Sequence, residues 1–457
     1  MAILAMLPYA IPAFYDVLRL RMGAEPGTFV YLLKPVENQL WFLVISVGVL
    51  SVAWWLWATL CATSDQTSNR TVWTYGILAW ALLAAQFISA AGSGFPVQCY
   101  QNLMLPAACL LAFAMLLSLR PSEHQLKQLF LLLIIAAMPA CLYAIAQNQG
   151  YEILPYSKYI MEGSTQEISG KQTIASVFGH PNYMGSYMAP LLFWPAFFAL
   201  NARRTAGRWI AGIAGIVMII TLVVGGTRGP WLAVGAAALP YYFMLALSPQ
   251  YRRQLLFAAG LALVTAIILL AVPNPFFTVQ FDVAKRLLGS KEISSRFYYW
   301  LMSIEMWKVH PWIGVGYGRF DVNFWDYVSA YQQRPESEYV RYVLQETIRG
   351  VHPGFVHNDH LQILAEGGLL AAALWIALWS LIATHGLKAL RALRHDQPRL
   401  LMAATLLASM ITFAADGLFN FPFHIPCSRL LFWITLASWA SLYSQFVSKS
   451  NAQESRS

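Results

Sequence analysis

The chain has 457 residues, of which 58% are hydrophobic and only 11% charged, and its formal net charge is +9. So little charge cannot cover a soluble protein of this length, and the repeated long apolar runs identify an integral membrane protein. The basic excess lies in the loops between those runs, where it reports topology and gives no ground for a nucleic-acid partner.

In chain order, apolar spans are predicted near 39–61, 71–91, 102–119, 126–147, 183–201, 208–226, 230–248, 254–272, 361–384, 399–419 and 427–447. A further stretch at about 2–20 is broken by Pro8 and Pro12 and ends in Arg19 and Arg21. It lacks a basic leading segment and a small-residue cleavage site, so it reads as an anchor and not as a cleaved signal peptide. The expected fold is all-α, a single polytopic membrane domain over 1–457 with about 12 transmembrane helices, eleven of them from the clear spans. No internal repeat or linker divides it.

The loops near 62–70, 120–127, 202–208, 249–253 and 385–399, with the tail from 448, hold 14 of the 30 Lys and Arg. They hold four acids, Asp65, Glu123, Asp396 and Glu454. By the positive-inside rule these segments and both termini are cytoplasmic. The opposite face then carries 92–101, 148–182, the turns at 226–229 and 420–426, and a long insert at 273–360. That insert balances nine basic against nine acidic residues and packs 18 aromatics into 88 positions, a composition that predicts a folded segment. Cys61, Cys99, Cys109, Cys141 and Cys427 form no CxxC pair, so there is neither a disulfide framework nor a zinc signature.

Five stretches on this outer face carry chemistry. "SVFGHPNYMGSYMAPLL" (176–192) puts His180 and Asn182 at a helix entrance, where they read as a turn and cap. "GGTRGPWLAVG" (225–235) sets Arg228 just before a helix whose first turn accepts Pro230. Unpaired N–H groups, the positive helix end and a guanidinium converge there, as suits a phosphate, although an arginine snorkelling to lipid headgroups is the plain alternative. "SSRFYYWLMSIEMWKVHPWIG" (294–314) predicts an amphipathic helix on the outer membrane surface, with Arg296, Trp300, Ile304 and Trp307 at helical spacing. Arg296 either meets an anion or pairs with an acid such as Glu292, and the rings form an interfacial belt or line a glycan groove.

"HPGFVHNDHLQILAEGGLL" (352–370) places His357 at the rim of a span, followed by Asn358 and Asp359 as N-caps and by Gln362 in capping-box register with Asp359. The positive helix end disfavours an imidazolium, leaving a neutral ring able to take a proton. A metal site from His357, Asp359 and His360 and a purely structural cap remain as alternatives. Glu366 is a costly carboxylate within the span, either functional or hydrogen-bonded to a neighbouring helix. In "DGLFNFPFHIPCSRLL" (416–431) Asp416 and Arg429 flank a proline-rich turn and are placed to pair with each other.

Taken in order, "FGHPNYMGSYMAPLL", "GTRGPWLAVG", "SRFYYWLMSIEMWKVHPWIGVGYGRF", "HNDHLQILAEGGLL" and "DGLFNFPFHIP" resemble the O-antigen ligase/polymerase superfamily of bacterial envelope glycosyltransferases over roughly 170–430. The resemblance implies an all-helical, GT-C-like glycosyltransferase in the bacterial inner membrane, with its active site and the 273–360 loop on the periplasmic side. It implies a glycan donor linked to undecaprenyl diphosphate and neither metal nor cofactor. The expected reaction is transfer to an acceptor hydroxyl, most of all on lipid A-core, and attack in one displacement would invert the anomeric configuration. Arg228 and Arg296 would hold the diphosphate and His357 would activate or position the acceptor, with Asn358, His360, Glu366, Asn182 and Asp416 in support. Relatives often carry an arginine shortly before the Phe-Gly-x-Pro-Asn motif, where this chain has only Lys171 further upstream. Its partners would be the lipid-linked donor, the lipid A-core or another glycan acceptor, and membrane lipids. A polymerase or a protein O-oligosaccharyltransferase would use the same site, and a solute transporter is the reading from another class.

Overall fold

A computed structural model describes residues 70–94, 96–151, 174–246, 248, 251–252, 290–334 and 353–447. The spans expected at 2–20, 39–61 and 254–272, together with Lys171 and His352, lie outside the described residues. Those described form helices α1 (Arg70–Gly92), α2 (Pro96–Leu119), α3 (Glu123–Asn148), α4 (Pro181–Leu191), α5 (Phe193–Asn201) and α6 (Thr205–Gly225). They continue as α7 (Arg228–Ala246), α8 (Ser290–Val309), α9 (Phe320–Gln332), α10 (Asp359–Ala392), α11 (Gln397–Asp416) and α12 (Pro426–Leu442). The protein is an all-helical, multi-pass membrane protein.

Seven of these helices, α1, α2, α3, α6, α7, α10 and α11, are long and apolar enough to cross a membrane. The runs at 183–201 and 427–447 are helical but interrupted. The first is α4 and α5, which meet at Leu192, because Pro195 has no N–H to give the Leu191 carbonyl. The second is α12 followed by a π-turn over Tyr443–Val447.

The helices pack chiefly as the pairs α7 with α11, α2 with α12, α1 with α10, and α6 with α3 and α5. Trp375 of α10, Phe413 of α11, Phe432 of α12 and Phe423 just before α12 form one edge-to-face aromatic cluster. Arg399 reaches Glu123 at one end of the bundle, joining two of the basic loops there. The start of α7, the end of α11 and the start of α10 meet at the other end.

Helix α8 was expected from Ser294 but begins at Ser290, and it packs along α10 rather than lying alone on a membrane surface. Its buried stripe is Tyr298, Tyr299, Met302 and Met306, which with Phe320, Phe324, Val356 and Ala365 makes a second, smaller core. The half-buried series Arg296, Trp300, Ile304 and Trp307 lies to the side of that stripe. The shift arises because α9 folds back over α8 and claims its tyrosine and methionine face.

Helix α10 runs for 34 residues but breaks at Gly368 (φ 62°, ψ −165°). At the break the chain 311–316 supplies backbone partners. Val315 and Gly316 donate to the carbonyls of Ala365 and Glu366, while Leu369 and Leu370 donate to those of Pro311 and Trp312. The contact is so close that a Cβ on Gly368 would lie 2.4 Å from the Trp312 carbonyl, and one on Gly314 2.3 Å from that of Glu366. Gly314 also has φ +67°. Gly314→Ala should therefore lose about 2–5 kcal/mol, from left-handed strain plus overpacking. Gly212→Ala, with nothing within 4 Å, should stay within about 1 kcal/mol of wild type. Thermal unfolding of the detergent-purified protein checks both.

Candidate functional site

Helix α6 ends at Gly226 in the left-handed conformation (φ 66°), and α7 starts two residues later at Arg228. The turn between them is wedged between α4 and the end of α11. A Cβ on Gly185 would meet Pro230 at 2.6 Å and Thr227 at 2.7 Å, so only glycine lets α4 come this close. On the other side Gly229 abuts the Asp416 carboxylate, whose Oδ1 lies 3.1 Å from the Cβ position. Ser186 donates to Asp416 Oδ2 at 2.5 Å and accepts from Asn420 Nδ2 at 2.8 Å. The turn that carries Arg228 thus abuts a buried carboxylate at Gly229. Arg296 acts electrostatically on that same Asp416 and on His357, which draws α8 into the neighbourhood.

His357 itself has φ 55°, a left-handed conformation that costs a non-glycine residue roughly 1–2 kcal/mol and is held only by its surroundings. Its ring stacks on Tyr299 (5.9 Å) and sits edge-on to Phe421 (4.8 Å). Phe421 in turn touches Phe355 and Tyr183. Burial first, then the charge of Arg296 and the neighbouring His180, push the His357 pKa down to about 3, so the ring is neutral at physiological pH. Oδ1 of Asp416, Oδ1 of Asn420, Oγ1 of Thr227 and Nδ1 of His357 are buried and make no hydrogen bond. Each such atom costs roughly 1–3 kcal/mol if it stays without a partner.

The start of α10 differs from the expected capping box. The cap is Asn358, whose Oδ1 accepts the Leu361 N–H at 3.0 Å. Asp359 is fully buried and otherwise engaged, taking the Phe423 N–H at 2.8 Å and His424 Nδ1 at 2.5 Å. Gln362 accepts from the Val356 N–H and donates to Glu366. Both ring nitrogens of His360 are occupied: Trp375 donates to Nδ1, and Nε2–H donates to the Ala414 carbonyl. Among the described residues no cluster of three or more His, Cys, Asp or Glu is arranged to hold a metal ion. That leaves no assembled His357, Asp359 and His360 ligand set.

The backbone N–H of Asn182 donates to His180 Nδ1, so His180 is the cap of α4. Asp416 and Arg429 do not pair as anticipated. Arg429 is buried and donates to the Tyr317 hydroxyl at 2.9 Å, while Asp416 is claimed by Ser186. The signal missed in the sequence was Ser186, which neither motif spacing nor charge singles out. Arg228, Arg296, His357 and Asp416 are brought to one end of the bundle, whereas His360, in the first turn of α10, and Glu366, about two turns along it, serve internal hydrogen bonds.

The family model described as O-Antigen ligase matches residues 213–376, from α6 to the middle of α10. The stretch includes Arg228, Arg296 and His357. The exopolysaccharide production protein ExoQ of Rhizobium meliloti (strain 1021) is 28% identical over 233 residues, 49% of this chain. The match spans 48% of that relative's length. Both are likenesses over part of the chain, the first to the O-Antigen ligase family and the second to an exopolysaccharide production protein.

His357 has a lower pKa in the folded protein than in the unfolded chain, so unfolding takes up a proton as pH falls from about 6.5 toward 3. Acidification through that window should lower stability through this ring. Thermal melts at about pH 4.5 and 7.5 should therefore differ more for wild type than for His357→Gln.

Proposed function

We propose that the protein is an inverting glycosyltransferase that moves a glycan from undecaprenyl diphosphate to an acceptor hydroxyl. The observation that carries the reading is the meeting of the Arg228 turn, Arg296 and a neutral His357 at the end of the bundle opposite the basic loops. In this mechanism Arg228 and Arg296 neutralise the charge that develops on the departing diphosphate. The acceptor oxygen attacks the anomeric carbon as the bond to the diphosphate breaks, inverting the configuration there. Nδ1 of His357, buried and without a hydrogen bond, accepts the proton of the acceptor hydroxyl. A ring of such low basicity acts mainly by orienting that hydroxyl, and it takes the proton fully only as the new C–O bond forms.

The donor site faces the periplasm of the bacterial inner membrane, on the strength of the charge asymmetry of the loops. Lipid A-core is the acceptor that the O-antigen ligase likeness favours. The ExoQ likeness favours a second reading, in which another lipid-linked glycan is the acceptor and the product is a longer polymer.

With purified protein and a lipid-diphosphate glycan, Arg228→Ala and Arg296→Ala should each lower transfer by about 10²–10³-fold. His357→Ala should lower it by about 10²–10⁴-fold. Full transfer by both His357→Ala and Arg228→Ala would remove the mechanism. Deleting the gene separates the acceptors. Loss of a ligase strips every O-chain from lipid A-core, whereas loss of a polymerase leaves single repeat units attached.

A further inference from the structure

We infer that Glu366 is a positioning residue for the transfer reaction, holding α8 against α10 so that Arg296 and His357 face each other. The inference rests on the roles given above to those two residues and concerns how their geometry is set. Arg296 lies near the start of α8, and His357 lies just before α10. The two helices pack along each other and touch near the site through the rings of Tyr299 and His357. Their second junction is the break of α10, where 311–316 docks by backbone hydrogen bonds.

Glu366 stands at the centre of that junction. Its carboxylate accepts the Gly318 N–H at 2.9 Å, the Phe320 N–H at 3.2 Å and Gln362 Nε2 at 3.0 Å. Its own carbonyl accepts from Gly316 and from Ser89 of α1. One residue of α10 thus holds the chain leaving α8, the first turn of α9 and α1 together. Three donors converge on the side chain, a demand that an acceptor-only carboxylate meets and an amide cannot. Glutamine would turn an N–H toward an N–H and release either Gly318 or Phe320. With the far junction loosened, α8 can swing about its contact with His357, and Arg296 swings with it. Arg319 and Phe320 shift too, because the start of α9 has lost its anchor.

The test uses the full chain reconstituted in lipid with a lipid-diphosphate glycan. Glu366→Ala should lower kcat by about 10²-fold, as expected for a displacement near 1 Å at a reacting group. The isosteric Glu366→Gln should lose about tenfold at a temperature where it remains folded. In an Arg296→Lys background the loss from Glu366→Ala should shrink to a few-fold, since residues acting through one another are non-additive. Spin labels at Phe297→Cys on α8 and Ile376→Cys on α10 should show a wider, shifted distance distribution when Glu366 is replaced. Full kcat in Glu366→Gln, additive losses, or an unchanged label distance would each overturn the inference. A shifted distance together with full transfer by Arg296→Ala and His357→Ala would instead sink the catalytic reading and leave the brace standing.

Discussion

A backbone amide in an apolar environment must be hydrogen-bonded, and the break in α10 is where this protein meets that demand in an unusual way. Opening the helix at Gly368 frees the carbonyls of Ala365 and Glu366 and the N–H groups of Leu369 and Leu370. Such irregular backbone is tolerated at a membrane helix only when protein covers it. The segment 311–316 covers it group for group, and the approach is close enough that Gly314 and Gly368 have no room for a side chain. Through this junction the aromatic lobe of α8 and α9 becomes part of the helix bundle, and the positions of Arg296 and His357 follow from it.

The site end is built on a different principle, the confinement of charge. Asp416 is buried, is hydrogen-bonded by Ser186, and stands beside the Gly229 backbone. Its carboxyl group lies close to the turn that opens α7 and within electrostatic reach of Arg296. His357 is kept neutral in the same surroundings by burial and by the Arg296 charge. The left-handed backbone at His357 is stored strain, compensated by the Asn358 cap and by the rings of Tyr299 and Phe421 around it.

Hydropathy alone shows the apolar helices, because each must present some 20 residues to lipid. Arg228 and His357 are conspicuous as charge and imidazole at span edges, and Arg296 stands out on the helical face that it shares with Trp300. Hydropathy does not show the break in α10, because "EGGLL" continues an apolar run and the glycine pair is the only hint. The true partners of Asp416 and Arg429 were equally hidden. They are Ser186, 230 positions away, and Tyr317, 112 positions away, so proximity in the chain suggested the wrong pair. The cap on α10 fell to Asn358 because His424 and Phe423, also distant in sequence, had taken the carboxylate of Asp359. The helix α8 face was misjudged for the same reason, since only the fold-back of α9 decides which of two aromatic stripes is buried. Local chemistry was legible, and tertiary partnership was not.

The central claim is that a lipid diphosphate is held between the Arg228 turn and Arg296, with His357 turned toward the acceptor. An experimental structure of the protein with a non-transferable undecaprenyl diphosphate glycan tests it most directly. The account predicts diphosphate oxygens on both guanidinium groups and the anomeric carbon open on the His357 side. A diphosphate bound elsewhere, whether at the opposite end of the bundle or at one arginine with the other turned away, would contradict it.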